Sequence, residues 1–466
     1  MAGWKKLFSR SASHRMAPPA KPVPVQGRIG IDHGDKPFQL ILGKQELHFH
    51  PEVALASTGK QAAKDWLVID PQRFYSTISG FARIRRGETV LVGRENQEWD
   101  RLFGFPKSVL KRHLKISNNK GDLALKPLDP DGETAISGLG NSEAADDFGA
   151  RRLKNLKRLR KIFGGPVAML EPDAALETLK NVNAILHDEA YRPLDWKGRP
   201  GGVLDLPGEL TPIVVSDLHA RVDNLLKVLS ENNFLDGLLA GTACMIFLGD
   251  AVHSELDGEL EDMDSSVLMM DLILKLKERF PANVFYLRGN HDSFSPDVGK
   301  GGVPQGVLLR KRLRELRGKA YERRMALFFE RLPFMARTPD FIACHAGPPR
   351  SEVPFEKLVN VRKHRELAMD LVLGRLKRPS FPTGYTKTEV RKFRRSLEVD
   401  KTLPLLVGHS PLSRHETVWL DAGEIENYHI LFSALPHCLA IFVRIDGVMV
   451  PLCYPGEPLL DLVNGL

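Results

Sequence analysis

Cysteine is scarce in this 466-residue sequence: Cys244, Cys344, Cys438 and Cys453 are the whole complement, with neither a CxxC pair nor dense spacing. This argues against a zinc ribbon or a disulfide-stapled secreted scaffold, and a reducing compartment, the cytoplasm, is expected. Long apolar runs are missing too, so no transmembrane segment is expected. The N-terminal stretch MAGWKKLFSRSASHRMAPPAKPVPVQ is basic but has no apolar signal core and no small-residue cleavage site. Residues 1–25 read as a disordered basic leader; Trp4, Leu7 and Phe8 among Lys5, Lys6 and Arg10 make too short a segment for firm membrane-surface binding. Nor is the charge extreme: the net +8 is concentrated in runs such as RRLKNLKRLRK (151–161) and RKFRR (391–395). No nucleic-acid-binding motif accompanies them, so they read as solvated helix faces and no nucleic acid partner is expected.

What is present divides into regions of different rhythm. Residues 26–145 carry short apolar stretches broken by glycine and turn residues (FARIRRGETVLVGR, RHLKISNN, GDLALKPL, DPDGETAI), as in a small β-sandwich. Residues 146–204 turn helical and basic and read as a linker. Within it, Leu176, Leu179, Val182, Ala184 and Leu186 share one helical face, and the breaker cluster DWKGRPGG (195–202) marks a boundary. From 205 to 466 strands and helices alternate: TPIVVS, VDNLLKVLSENN, ACMIFLG, SSVLMMDLILKLKERF, NVFYLRG. That alternation predicts βαβ units, and the later runs FIACHA, PLLVGHS, ILFSA, CLAIFVRI and VMVPL supply a second sheet.

Five of these strand-like runs end in a residue type that ligates metals. They give Asp217 and His219 in SDLHA, Asp250 in GDAVH, Asn290 and His291 in RGNHD, His345 in CHAG and His409 in GHS. A single Asp or His at a strand end is ordinarily a cap or turn residue. Five together, in the crevice beyond the carboxyl ends of strands where open α/β folds place ligands, point to a metal centre. Carboxylate oxygen with imidazole nitrogen suits Mn, Fe or Zn.

In this order the blocks resemble the signature of the calcineurin-like metallophosphoesterases, with RGNHD and GDAVH similar to the phosphoprotein phosphatase branch. The resemblance covers about 205–455. It implies an α/β fold, a two-sheet β-sandwich flanked by helices, with two divalent metal ions between the sheets. Asp217, His219 and His409 would hold one metal, Asn290 and His345 the other, and Asp250 would bridge them. Two such cations generate hydroxide near neutral pH and clamp the phosphoryl oxygens. His291 would protonate the leaving alkoxide. Gly289 permits the sharp turn before it.

Two positions depart from that branch. Its second block usually reads GDxVDRG, with an Asp that orients the catalytic His and an Arg that grips phosphate; here those places hold His253 and Ser254. Arg378, ahead of Pro-Ser-Phe, and Arg414, shortly after His409, are the candidate replacements, since the planar guanidinium fork suits phosphate. Arg288 is expected to support the fold. The Gly-rich, then helical and basic insertion beginning GKGGVPQG is expected beside the active site, where it would help select substrate.

Residues 65–145 resemble a forkhead-associated domain, through VLVGRENQ, SVLKRHLKI and DPDGET. That resemblance implies a small all-β sandwich with Arg94 as the phosphate-binding arginine, His113 as the structural histidine, and Asp131, Gly132 and Thr134 in the supporting turn. Leu110 stands where the phosphate-contacting Ser is expected and cannot donate a side-chain hydrogen bond, so Lys111 or Arg112 would have to compensate. The leading expectation is a phosphomonoester hydrolase acting on phosphorylated protein or peptide, a serine/threonine phosphatase with a phosphopeptide-reading or docking domain. A symmetrical diadenosine tetraphosphate hydrolase or another hydrolase of small phosphate compounds is the alternative enzyme, and a non-catalytic phosphopeptide adaptor the alternative of another class.

Overall fold

The computed structural model describes residues 14–15, 19–31, 37–52, 55, 65–139 and 143–466. Most of the expected leader, and with it the segment around Trp4, Leu7 and Phe8, lies outside the described residues. Contacts divide the chain after Lys154 into two compact units.

The first unit is all-β in its sheets, one of five strands and one of six. Phe81–Ile84, Thr89–Val92, Leu114–Asn119, Asp122–Pro127 and Thr134–Gly138 are the strands expected from their apolar alternation. Pairing begins slightly earlier than residue 26, because Val23–Pro24 already lies antiparallel to Thr134–Gly138. His113 is fully buried; its Nδ1 accepts from Leu110 N, and its Nε2 lies 3.1 Å from Thr134 Oγ1. The Leu110–His113 loop, whose Leu110 carbonyl accepts from Arg94 N, is thereby tied to the Thr134 turn.

The second unit is a pair of packed sheets with helices outside them, the expected α/β architecture. One sheet runs β4 (Val284–Tyr286), β3 (Ala243–Phe247), β2 (Thr211–Val215), β10 (Cys438–Ile445), β11 (Val448–Pro455). The other runs β1 (Val203–Asp205), β5 (Met335–Arg337), β6 (Ile342–Cys344), β7 (Leu405–Val407), β9 (Tyr428–Leu431), β8 (Val418–Trp419). Pairs β2/β3, β3/β4, β6/β7 and β7/β9 are parallel.

Side-chain alternation decides what faces what. Val214, Ile246 and Phe285 of the first sheet meet Ala343, Leu406 and Leu431 of the second in one core. Ile342, Cys344, Leu405 and Val407 point the other way, into a core shared with the helix α5 (Arg365–Leu373) and with Val390 and Phe393. Each fully buried aliphatic or aromatic chain contributes about 1.5–3 kcal/mol. Both faces being covered, the strands read as continuous apolar runs rather than alternating ones.

From Asn155 onward, the segment expected as a linker (146–204) belongs to this second unit. The helix α1 (Pro172–His187) packs on α3 (Asp264–Arg279) and α4 (Gln305–Arg331), the last broken at Gly318. Its buried face is Ala175, Thr178, Leu179, Val182, Asn183 and Leu186; Ala184, assigned to that face from sequence, is exposed. The glycines of DWKGRPGG serve close packing rather than chain flexibility: a Cβ on Gly201 would sit 2.6 Å from Val359 Cγ1, and one on Gly202 2.3 Å from Val361 Cγ1. Buried charge also ties the segment down, since Glu189 accepts from Lys277 Nζ at 2.6 Å and Arg192 at 3.0 Å. Removing one member of such a buried cluster strands its partners, so Glu189→Ala should destabilise the second unit by about 3–5 kcal/mol, read as a lowered urea midpoint. An unchanged midpoint would mean that the segment is a dispensable linker.

Candidate metal centre

Five strand ends, those of β2, β3 and β4 in the first sheet and of β6 and β7 in the second, deliver the expected residues to one place. The backbone bends sharply as it leaves them: His219, Asp250, His253 and His409 all have positive φ, between +42° and +67°. For side chains other than glycine this costs on the order of 1–3 kcal/mol each and persists only where the surroundings enforce it. Here hydrogen bonds do so. The Asp250 carbonyl accepts from both Leu218 N and His219 N, His409 N donates to Asp217 Oδ2 at 2.9 Å, and His291 N donates to Asp250 Oδ1 at 2.7 Å. Two glycines leave room for carboxylates. A Cβ on Gly289 would lie 2.1 Å from Asp250 Oδ1, and one on Gly408 2.1 Å from Asp217 Oδ1.

The ligand atoms fall into two groups, Asp217/His219/Asp250 and Asp250/His345/His409, within each of which they lie no more than 4.8 Å apart. Asp250 belongs to both, the position of a bridging carboxylate. His409 does not group with Asp217 and His219, as expected from sequence, but with His345, the two rings 5.1 Å apart. The cause is strand order: β6 and β7 are neighbours in one sheet, so their ends are adjacent. Asn290 stands on the same side, its Oδ1 3.0 Å from His345 Nε2.

The donor set fits divalent cations. His219 Nδ1 lies 3.0 Å from the His253 carbonyl and His345 Nδ1 2.9 Å from the Leu248 carbonyl, so each ring points Nε2 into the cluster. This is how ligand imidazoles are held. His409 Nε2 is buried without a hydrogen-bond partner. Burial alone would lower the pKa of His345, yet Asp250 and Asp217 outweigh it and hold the imidazole up at about 9. Burial opposes the charge on Asp250 as well, and there His345 and His291 prevail, keeping the carboxyl well below its usual range. The pKa of His409 is pushed well down by burial and by His345.

Around the cluster lies a cavity of about 580 Å³, with His291, Asn290, Glu255, Asp297, Lys300, Arg288, Arg365, Arg375, Met369 and Leu373 in its wall. The phosphate arginines expected from sequence are not among them. Arg378 turns back onto Phe381, 4.9 Å above its ring, and Arg414 is exposed elsewhere. Arg375, three residues earlier in the same basic run, reaches the cavity and donates to Ser410 Oγ at 3.1 Å; Arg365 reaches it from α5. Arg288 does line the cavity, but its guanidinium donates to the Phe329 carbonyl and stacks on Phe334, which is support of the fold. The Gly-rich insertion does approach the centre, through Asp297–Lys300, and Lys300 pairs with Glu255 at 3.0 Å.

Sequence reading also passed over Asp292, the last residue of GNHD. Fully buried, its carboxylate accepts from Gly289 N, Asp250 N and Tyr286 Oη, and burial and Asp250 raise its pKa to about 6. In the first unit, Arg94 donates Nε to the Val109 carbonyl at 2.7 Å, while Lys111 and Arg112 are exposed. The N–H of Leu110 is spent on His113, so neither its side chain nor its backbone N–H remains for an anion.

Two sheets that bring paired carboxylates, imidazoles and a shared Asp to their strand ends, beside a cavity lined by four cationic side chains, define a metal-dependent phosphoesterase. Residues 210–436 match the family model of the calcineurin-like phosphoesterases. The second unit is a calcineurin-like phosphoesterase domain, and the protein is a metal-dependent phosphatase. Comparison with curated proteins gives no significant match. Among solved structures, the chain is similar to a protein serine/threonine phosphatase from Saccharomyces cerevisiae with similarity to human phosphatase PP5, at 15% identity and a TM-score of 0.47, over 62% of this chain and 90% of that one. It is also similar to a protein described as a diadenosine tetraphosphatase (17%, TM-score 0.34, 55% and 98%). A third is the cold-active protein-tyrosine phosphatase of a psychrophilic Shewanella (13%, TM-score 0.36, 54% and 82%).

Ser216 Oγ donates to Asp217 Oδ1 at 2.7 Å from within a fully enclosed position. Ser216→Ala should therefore weaken metal binding by about 10–100-fold. Equilibrium dialysis against Mn would show it, and wild-type affinity would dissociate Asp217 from the centre.

Proposed function

We propose that this phosphatase hydrolyses phosphomonoesters of serine or threonine in protein or peptide substrates. Continuity between two depressions carries the reading. The catalytic cavity shares Arg365 and Met369 with an outer groove of about 920 Å³, lined also by Arg350, Lys357, His364 and Val353. An extended chain can follow this path, with its phosphate at the metal cluster and flanking residues along α5. Phe432 in the cavity wall already packs against His219, ring centroids 6.0 Å apart.

In this reading Asp217 and His219 would hold one divalent cation, Asn290, His345 and His409 would hold the other, and Asp250 would serve both; Mn, Fe and Zn all suit the donors. When bound, the pair supplies Lewis-acid charge at the phosphoryl group and acidifies water. The chain does the rest. Arg375 and Lys300 meet phosphate oxygens, replacing the guanidinium absent at Ser254. As water adds to phosphorus and the P–O bond to the side chain breaks, His291 gives its Nε2 proton to the departing oxygen. The N-terminal unit serves as a docking module that raises the local concentration of tethered substrate, with Arg94, Lys111 and Arg112 its candidate phosphopeptide contacts.

Chelator-stripped protein reloaded with Mn should turn over a phosphothreonine peptide well above diadenosine tetraphosphate. His291→Ala should lose roughly 10²–10⁴ in kcat on the peptide while keeping its metal. Preference for the dinucleotide would reassign the substrate; an unimpaired His291→Ala would remove that residue from the mechanism.

A further inference from the structure

We propose that His253 is the positioning residue for His291, a neutral imidazole standing where the related phosphatases carry a carboxylate. The two Nδ1 atoms lie 3.1 Å apart and the ring centroids 5.3 Å. Only one proton can sit between two nitrogens at that distance, and His291 must supply it. As the acid it carries protons on both nitrogens, and after delivery it keeps the one on Nδ1, so in either state Nδ1–H of His291 donates to the lone pair of His253. The bond pins the His291 ring with Nε2 turned to the cavity. His253 is fully buried, and apart from His291 its ring faces the backbone of Gln305.

The main chain of the same residue is committed independently. Its N–H donates to Ser266 Oγ at 2.8 Å, its carbonyl lies 3.0 Å from His219 Nδ1, and its φ of +67° is a conformation side chains rarely adopt. The backbone of His253 thus orients a metal ligand while its side chain orients the acid. The two contributions can be separated, because replacing the side chain leaves the carbonyl in place.

This inference rests on the proposed role of His291, and the experiment tells the two apart. Full-length protein loaded with Mn is assayed on a phosphoserine peptide, whose alkoxide needs a proton, and on 2,4-dinitrophenyl phosphate, whose leaving group does not. His253→Ala should lose on the order of 10²-fold in kcat on the peptide, with KM little changed, and only a few-fold on the aryl ester. Its Mn stoichiometry should match wild type. Taking the ratio of the two substrates on one sample removes any dependence on the folded fraction. His253→Asn, whose side chain tolerates positive φ and whose Oδ1 can accept from His291 where Nδ1 did, should recover most of the wild-type ratio. Equal losses on both substrates in His253→Ala, or loss of metal in both variants, would reduce His253 to a structural residue and overturn the proposal. So would a leaving-group effect in His291→Ala that His253→Ala does not show. If His291→Ala itself shows no leaving-group effect, the acid role fails and the positioning role with it.

Discussion

Asp250 is the knot from which the rest of the site hangs. Its two carboxylate oxygens meet His291 N and His345 Nε2, its carbonyl takes the N–H groups of Leu218 and His219, and its own N–H is held by Asp292. Four strand-end loops are joined through one residue that is almost entirely out of water. An isolated buried carboxylate would cost many kcal/mol. Every neighbour can be understood as an answer to that charge: N–H groups aimed at it, imidazoles around it, and Gly289 absent of a side chain so that the oxygen has somewhere to be. The packed sheets below are the scaffold that makes those answers rigid, for a backbone held at positive φ in four places would relax if the strands beneath it could slide.

The electrostatics have an internal symmetry. With no cation bound, His345 keeps its proton to about pH 9 and stands in for one, neutralising Asp217 and Asp250. Cation binding must displace that proton, so affinity falls as the medium becomes more acidic. His409 behaves oppositely, kept neutral by burial beside His345. One histidine guards the empty state while the other is ready as a ligand.

The strands that carry the site were legible because buried parallel strands write themselves as uninterrupted apolar runs, and a polar residue after such a run is conspicuous. Thr211–Val215, Ala243–Phe247 and Val284–Tyr286 were located that way, with their ligands. What sequence could not convey was adjacency. His409 was grouped with the wrong partners because neighbourhood at the strand ends follows sheet order, which places β7 beside β6 rather than β2. Arg378 was named and Arg375 was not, because a basic run does not reveal which of its members lines a cavity. DWKGRPGG was taken for a boundary because glycine serves flexibility and close packing alike, and only the contact with Val359 and Val361 distinguishes them. Asp292 was in plain view in GNHD, yet its work is to hold main-chain N–H groups, which no side-chain pattern displays.

The strand order also sets when this site can come into being. Thr211–Val215 lies between Ala243–Phe247 and Cys438–Ile445, so one edge of the central strand waits for a partner synthesised more than two hundred residues later. Its ligands are spread over a similar span, from Asp217 to His409. During translation the early strands can pair locally, but the second metal group is incomplete until the ribosome has passed His409, and the sheet until it has passed Ile445. Closing such long loops is slow. Until then the half-made sheet keeps an open apolar edge along Thr211–Val215.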